Sequence, residues 1–244
     1  MNNRFFPKLA ASNIKKNGKA YIPYILSCVM TVAMFYIVKS LSYNPGLKNM
    51  VGSSTMMTMM SMCSVIIALF AIVFLFYTNS FLMKRRKKEF GVFNILGMEK
   101  SHIAKTMAWE NFYVTLISIV GGLVIGLALD KAMFLLIAQV LNEEITLGFF
   151  ISDKAIISTI VMFCIIFLLI LLNSIRQIHT ANPIELVTAG NAGEREPKTK
   201  WVLAILGLLS LGAGYYIALT IENPLTALVY FFFAVILVII GTYM

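Results

Sequence analysis

The residues able to do chemistry in this chain are few, and their spacing does not gather them. His102 and His179 flank apolar runs far apart in the sequence, without ligand-type neighbours. A metal or catalytic centre needs several donors at one point, so neither a metal site nor a Ser/His/Asp or Cys/His constellation is expected. Cys28, Cys63 and Cys164 all lie inside apolar runs with no Cys-x-x-Cys pair, and they read as small buried hydrophobes. No Gly-x-x-x-x-Gly-Lys-Ser/Thr loop is present to cradle nucleotide phosphates. Glu110 and Asp130 sit at the two ends of one apolar run, and no Asp, Glu, Lys or Arg falls near the middle of any run. Ion-coupled pumps keep such residues at mid-membrane, which argues against that class. The chain is not expected to be an enzyme or to hold a cofactor.

The most patterned segment is Lys84-Arg85-Arg86-Lys87-Lys88-Glu89-Phe90-Gly91-Val92-Phe93-Asn94-Ile95-Leu96-Gly97-Met98-Glu99-Lys100. Its first five residues form a basic cluster of the kind that holds a loop inside the cell. Phe90, Phe93 and Leu96 then recur at helical spacing, bracketed by Gly91 and Gly97. This predicts a short amphipathic cytoplasmic helix whose bulky side chains sit in a groove of a soluble partner.

The elements that position this segment are membrane helices. Of 244 residues, 59% are hydrophobic and 13% charged, with a mean hydropathy of +0.86. A soluble domain carries roughly 25% charged residues, so much of this surface must face lipid. A span needs about 20 mostly apolar residues. Six runs qualify: Tyr21–Val38, Met57–Tyr77, Ala108–Leu129, Ala155–Leu172, Trp201–Ile221 and Leu225–Met244. All are expected as helices, the only way an isolated segment satisfies its backbone in lipid. The fold class is thus an all-α integral membrane protein of about six spans. Sixteen Lys and Arg lie before span one, between spans two and three and between spans four and five, against four on the other side. That asymmetry puts the N-terminus in the cytoplasm. The net charge of +9 is accounted for by these clusters rather than by a nucleic-acid surface.

Phe5, Phe6, Leu9 and Ile14 share a segment with Lys8, Lys15 and Lys16; with Pro7 to start a helix, an amphipathic elbow is expected ahead of span one. The apolar stretch from Met133 to Leu141 stops at Asn142-Glu143-Glu144 and is too short to cross and return. It reads as an outward extension of the third helix or an interfacial helix. Asn191 to Lys200 is a polar linker, and Glu222-Asn223-Pro224 closes a hairpin between the last two spans. The expected units are therefore 1–55 (elbow and span one), 56–190 (spans two to four) and 191–244 (linker and spans five and six). The last run ends at Tyr243-Met244 without a basic anchor, so a longer polypeptide is expected. Gly121, Gly122 and Gly126 place small residues on one helix face for close packing. Trp109 and Trp201 begin spans where indoles sit at the interface.

The basic-Glu-Phe-Gly-…-Leu-Gly pattern after span two resembles the FtsX-like permease module of ABC transporters, and most closely the bacitracin- and lantibiotic-resistance (BceB-type) family. Other pieces agree in order: Leu9-Ala10-x-x-Asn13-Ile14-Lys15-Lys16-Asn17 with Tyr21-Ile22-Pro23-Tyr24, Gly121-Gly122-x-x-x-Gly126, and Asn182-Pro183-Ile184-Glu185-Leu186. The resemblance covers essentially the whole chain. It implies a multi-pass permease of a bacterial plasma membrane in antimicrobial-peptide resistance and sensing. ATP and Mg would be used by a partner ABC ATPase, which would dock on Glu89, Phe90, Gly91, Phe93, Leu96 and Gly97, with Phe90 and Phe93 as the expected anchors and Glu89 meeting a basic rim. It also implies association with a membrane sensor histidine kinase and contact with a peptide antibiotic or its lipid-bound complex, and no nucleic acid. The parent architecture it implies has ten spans and a large extracellular domain between spans seven and eight, both beyond these six runs. Two other readings stand beside it: another FtsX-like mechanotransmission permease (lipoprotein release or cell division), and a non-transport membrane scaffold. The first normally has an extracellular domain after span one, where this chain has only the short loop Ser40–Thr55.

Overall fold

A computed structural model describes residues 5–48, 52–140, 151–180, 201–220 and 224–243. Among these, eight helices and no strands are present: α1 (Phe5–Lys16), α2 (Gly18–Tyr43), the short α3 (Pro45–Lys48), α4 (Ser53–Ile95), α5 (Lys100–Val140), α6 (Asp153–Thr180), α7 (Trp201–Leu219) and α8 (Pro224–Tyr243). The linker Asn191–Lys200, the Asn182–Leu186 motif, Asn142-Glu143-Glu144 and the turn residues Glu222 and Asn223 lie outside the described residues.

Among the described residues five helices are long and apolar enough to cross a membrane: Gly18–Tyr43, Ser53–Arg86, Lys100–Ile137, Asp153–His179 and Trp201–Leu219. The sixth expected span falls on α8, whose described apolar stretch is the shorter Val229–Thr242. The first four run past their apolar runs, because residues such as Lys, Arg, Glu and Gln are good helix formers and do not end a helix merely by being polar. That rule has its largest effect in α4. At 1.5 Å per residue its 43 residues extend about 65 Å, against about 30 Å of hydrocarbon. The separate short helix expected after span two is instead the last turns of α4. The apolar stretch after Lys131 likewise extends α5, as far as Val140.

α2 is the hub, packing on α4, α5 and α6. Its Tyr21, Tyr24, Cys28, Val32 and Phe35 meet Ala71, Leu75 and Leu82 of α4, Val114 and Ile119 of α5, and Phe163, Ile166, Phe167 and Ile170 of α6. Phe35 and Phe163 meet edge to face, 5.9 Å between centroids. The opposite face of α2 shows Ile22, Leu26, Met30 and Met34, one per turn and all exposed, the pattern of a face turned to lipid. Cys164 also lies on an exposed face rather than in the core, whereas Cys28 is buried.

The glycines of α5 set how close α2 comes. A Cβ on Gly122 would stand 2.5 Å from the Cβ of Val32 and 2.9 Å from the carbonyl oxygen of Val29. One on Gly126 would stand 2.8 Å from the ring of Tyr36, and one on Gly121 3.3 Å from Val29. Helices in lipid associate through such backbone approach. α7 and α8 form a hairpin of the same kind: a Cβ on Gly241 would lie 2.8 Å from the carbonyl of Gly207, and Ser210 Oγ donates to Leu237 O at 2.8 Å. This hairpin meets the bundle through α8 against α4.

Candidate functional site: an ion pair behind an exposed helix tip

Four helices converge on one buried cluster at the end of the bundle that carries α1. Arg86 of α4 turns inward from its basic run and pairs with Glu110 of α5; each residue is 3% exposed. Arg86 Nη2 donates to Glu110 Oε1 at 3.0 Å, and Nη1 donates to Glu110 Oε2 and to the Tyr21 hydroxyl. Asn13 Nδ2 of α1 donates to Glu110 Oε1 at 2.9 Å, and Tyr21 Oη of α2 donates to Glu110 Oε2 at 3.0 Å. Glu110 thus has both oxygens satisfied by three helices, the condition under which a buried charge is tolerated. The guanidinium plane lies over Phe90 at 4.7 Å and Tyr21 at 5.4 Å. Glu89 closes the outer side, accepting from Arg86 Nε at 3.4 Å and Asn17 Nδ2 at 3.1 Å. A cavity of about 30 Å³ lies beside the pair, lined also by Asn79, Asn111 and Ser174. There Asn79 Nδ2 donates to Ser174 Oγ at 2.9 Å, joining α4 to α6.

Arg86 had been expected among solvated loop cations and Glu110 at a span end; both are buried in the helix packing. Asp130, the other residue set aside, is buried too, accepting from Ser40 Oγ at 3.0 Å near the opposite end of α2 and α5. The sequence pattern alone does not mark Asn13, Tyr21, Arg86 and Glu110 as site residues. Glu110 is the one with a usable signal: a carboxylate between Trp109 and the apolar run, which has to find a partner.

Beyond the ion pair, α4 runs on for two and a half turns with unlike faces. Phe90, 1% exposed, packs with Met83, Ile103, Met107 and Ile178, and Phe93 and Met98 close over it. Phe90 is therefore committed to this chain's own core, and its side chain is not free to enter a partner's groove as expected. Glu89 is likewise held internally, and Gly91 is buried. The opposite face carries Val92, Ile95 and Leu96, with Ile95 68% and Leu96 77% exposed. Gly97 then ends the helix at φ +90°. Gly97 N donates to Asn94 O at 3.1 Å and Met98 N to Phe93 O at 2.9 Å, the paired bonds of a Schellman turn. The contact of Phe93 with Met98 under that turn is its usual apolar partner. α5 restarts at once, Glu99 O accepting from His102 N and Ile103 N. Phe6 of α1 stacks on His102 at 5.7 Å, and Lys100 Nζ donates to His179 O at 3.0 Å. Both histidines thus lie at this end in structural contacts.

Apolar side chains on the far end of a helix, two to three turns past its spanning part, are left exposed there and are backed by an ion pair and a phenylalanine core. The family model for the FtsX-like permease C-terminal region matches residues 61–183, half of the chain, from within α4 past the end of α6. The chain belongs to the FtsX-like permease family.

Relatives agree with that assignment. The permease is 34% identical over 238 residues to the ABC transporter permease YvcS of Bacillus subtilis, 96% of this chain and 36% of that one. It is 28% identical to the bacitracin export permease protein BceB of Halalkalibacterium halodurans, covering 96% of this chain and 38% of the relative. To BceB of Bacillus subtilis it is 24% identical, over 86% and 33% of the two chains. The chain so resembles the BceB type of FtsX-like permease and spans about a third of the length of these curated relatives.

Proposed function

We propose that this chain works in the membrane subunit of an ABC transporter for resistance to, and sensing of, antimicrobial peptides of the bacitracin and lantibiotic kind. In this reading its basic end is cytoplasmic, as the distribution of Lys and Arg supports. A partner ABC ATPase, which supplies ATP and Mg, docks on the tip of α4 through Val92, Ile95 and Leu96. Gly97 sets the turn; Phe90, Phe93, Glu89 and Gly91 act from behind, by holding the tip. A membrane sensor histidine kinase is a further partner, and the peptide or its lipid-bound complex is the substrate.

The observation that carries the reading is the exposure of Ile95 and Leu96, beyond the spanning part of a helix whose other face is locked. Motion delivered there reaches the bundle without being absorbed by a loop, because the tip, Arg86 and the spanning part are one helix. Through the ion pair it reaches α5, α2 and α1 together.

The test uses the full-length permease with its co-expressed ATPase. The double variant Ile95→Asp, Leu96→Asp is expected to reach the membrane at normal levels, to melt within about 0.5 kcal/mol of wild type, and to lose ATPase co-purification and bacitracin resistance. Phe90→Ala is expected to behave oppositely, losing about 3–5 kcal/mol of stability. A double variant that keeps both the ATPase and resistance contradicts the docking assignment.

A further inference from the structure

The outer side of the same end carries a second feature, a groove between α2 and α4 of about 410 Å³, within the roughly 300–1,000 Å³ typical of small-molecule clefts. Lys19 and Arg85 stand at its mouth, and Pro23, Ser27, Tyr77 and Phe81 line its length. Neighbouring residues on a helix point about 100° apart, so the turn that aims Arg86 into the core aims Arg85 outward. The Arg85 guanidinium lies over the Phe81 ring at 4.7 Å. Among the described residues neither Lys19 nor Arg85 is in an ion pair, and no carboxylate lines the groove. Two cations lining one groove, neither paired with a carboxylate among the described residues, invite an anion.

The direction of the groove says which anion. Ser27 lies eight residues beyond Lys19 along α2, and Tyr77 eight residues before Arg85 along α4, so the lining runs about 12 Å from the charged mouth into the spanning part. That is most of one leaflet of a hydrocarbon core about 30 Å thick. Tyr77 is 73% and Phe81 53% exposed, so the trough opens sideways to lipid. A free phosphate would use the mouth and leave the trough empty; an apolar ligand would use the trough and leave the cations unmatched.

We infer that the α2–α4 groove holds one anionic phospholipid, its phosphate between Lys19 and Arg85 and an acyl chain along Pro23, Ser27, Tyr77 and Phe81. The lipid wedges the spanning part of α4 against α2 beside the ion pair, and its headgroup lies at the level where α4 leaves the membrane. This assignment is independent of the transport reading: it concerns the bundle alone.

The probe is native mass spectrometry of the full-length protein equilibrated in mixed micelles with equal amounts of phosphatidylglycerol and phosphatidylcholine of the same acyl chains. One tightly held phosphatidylglycerol is expected, preferred roughly 30-fold over phosphatidylcholine from about 1 kcal/mol per cation. Lys19→Gln with Arg85→Gln should abolish that preference, and either alone should reduce it about fivefold. The matched loss of two charges off the groove, Lys8→Gln with Lys84→Gln, should leave it in place. Ser27→Trp, which fills the trough and keeps both cations, should lower retention as well. Equal retention of the two lipids, an unchanged preference in the Lys19, Arg85 double variant, or displacement by glycerol phosphate without acyl chains would each overturn the assignment. An unchanged preference is also the result expected if another segment of the full-length protein covers the groove.

Discussion

Two faces of the last turns of α4 lie within one helix diameter of each other and have opposite fates. Arg86, Phe90 and Phe93, spaced i, i+4, i+7, are turned inward, where charge and ring are both satisfied by α1, α2, α5 and α6. Val92, Ile95 and Leu96, spaced i, i+3, i+4, are turned outward and left exposed by the described residues. Both faces are rich in large apolar residues, so hydrophobicity does not separate them. What does is partnership: one face is saturated inside the molecule, the other ends at its surface. The comparison teaches that a residue conspicuous in an apolar segment can belong to the packing that holds the segment's exposed face in place.

The inner face should be the expensive one to disturb. Arg86→Ala leaves Glu110 buried without its cation and should cost about 3–5 kcal/mol, read as a lower melting temperature of the full-length protein in detergent. Removing both charges, Arg86→Met with Glu110→Met, should recover most of that loss, since an apolar pair replaces a buried ion pair at little cost. Additive losses in the double variant would mean that the two residues act separately. A smaller effect is expected one layer deeper, at Gly122→Leu, where a side chain must enter a space closed by Val32 and by the Val29 carbonyl. That substitution should cost about 1–3 kcal/mol by forcing α2 and α5 apart, seen in the same melt. An unchanged melt would mean that the interface yields freely. The smallest effect belongs to the turn. Gly97→Ala must hold φ near +90° with a Cβ and should cost about 1–2 kcal/mol, but no atom within 4 Å opposes it. Its mark should therefore be a frayed tip, measured as faster amide exchange at Ile95 and Leu96 while the Phe90 core stays protected.

Much of this architecture was readable in the sequence, for definite reasons. Long apolar runs in a chain so poor in charge leave little choice but helices in lipid, and Gly122-x-x-x-Gly126 falls on the face that α2 covers. The tip was readable as a segment, yet not as two faces. Phe90 and Leu96 lie six residues apart, which on a helix is far around the circumference, and grouping them by bulk hid that. Lys84 to Lys88 looked like one solvated cluster because five like charges in a row give no hint that one of them is turned inward. The partner of Arg86 is 24 residues away across a turn; only the packing of α4, α5 and α2 brings Glu110, Tyr21 and Asn13 to it. Glu110 was discounted because its apolar run starts beside it, whereas the helix starts ten residues earlier, at Lys100.

The central claim is that the outward face of the α4 tip is the cytoplasmic surface an ATPase covers. Its most direct test is cysteine labelling at position 96, with Leu96→Cys in the full-length permease carrying Cys28→Ala, Cys63→Ala and Cys164→Ala. A membrane-impermeant maleimide should leave this variant unlabelled in intact cells, label it in inside-out vesicles, and label it far more slowly there once the ATPase is co-expressed. Labelling from outside intact cells, or a rate in vesicles unmoved by the ATPase, would contradict it.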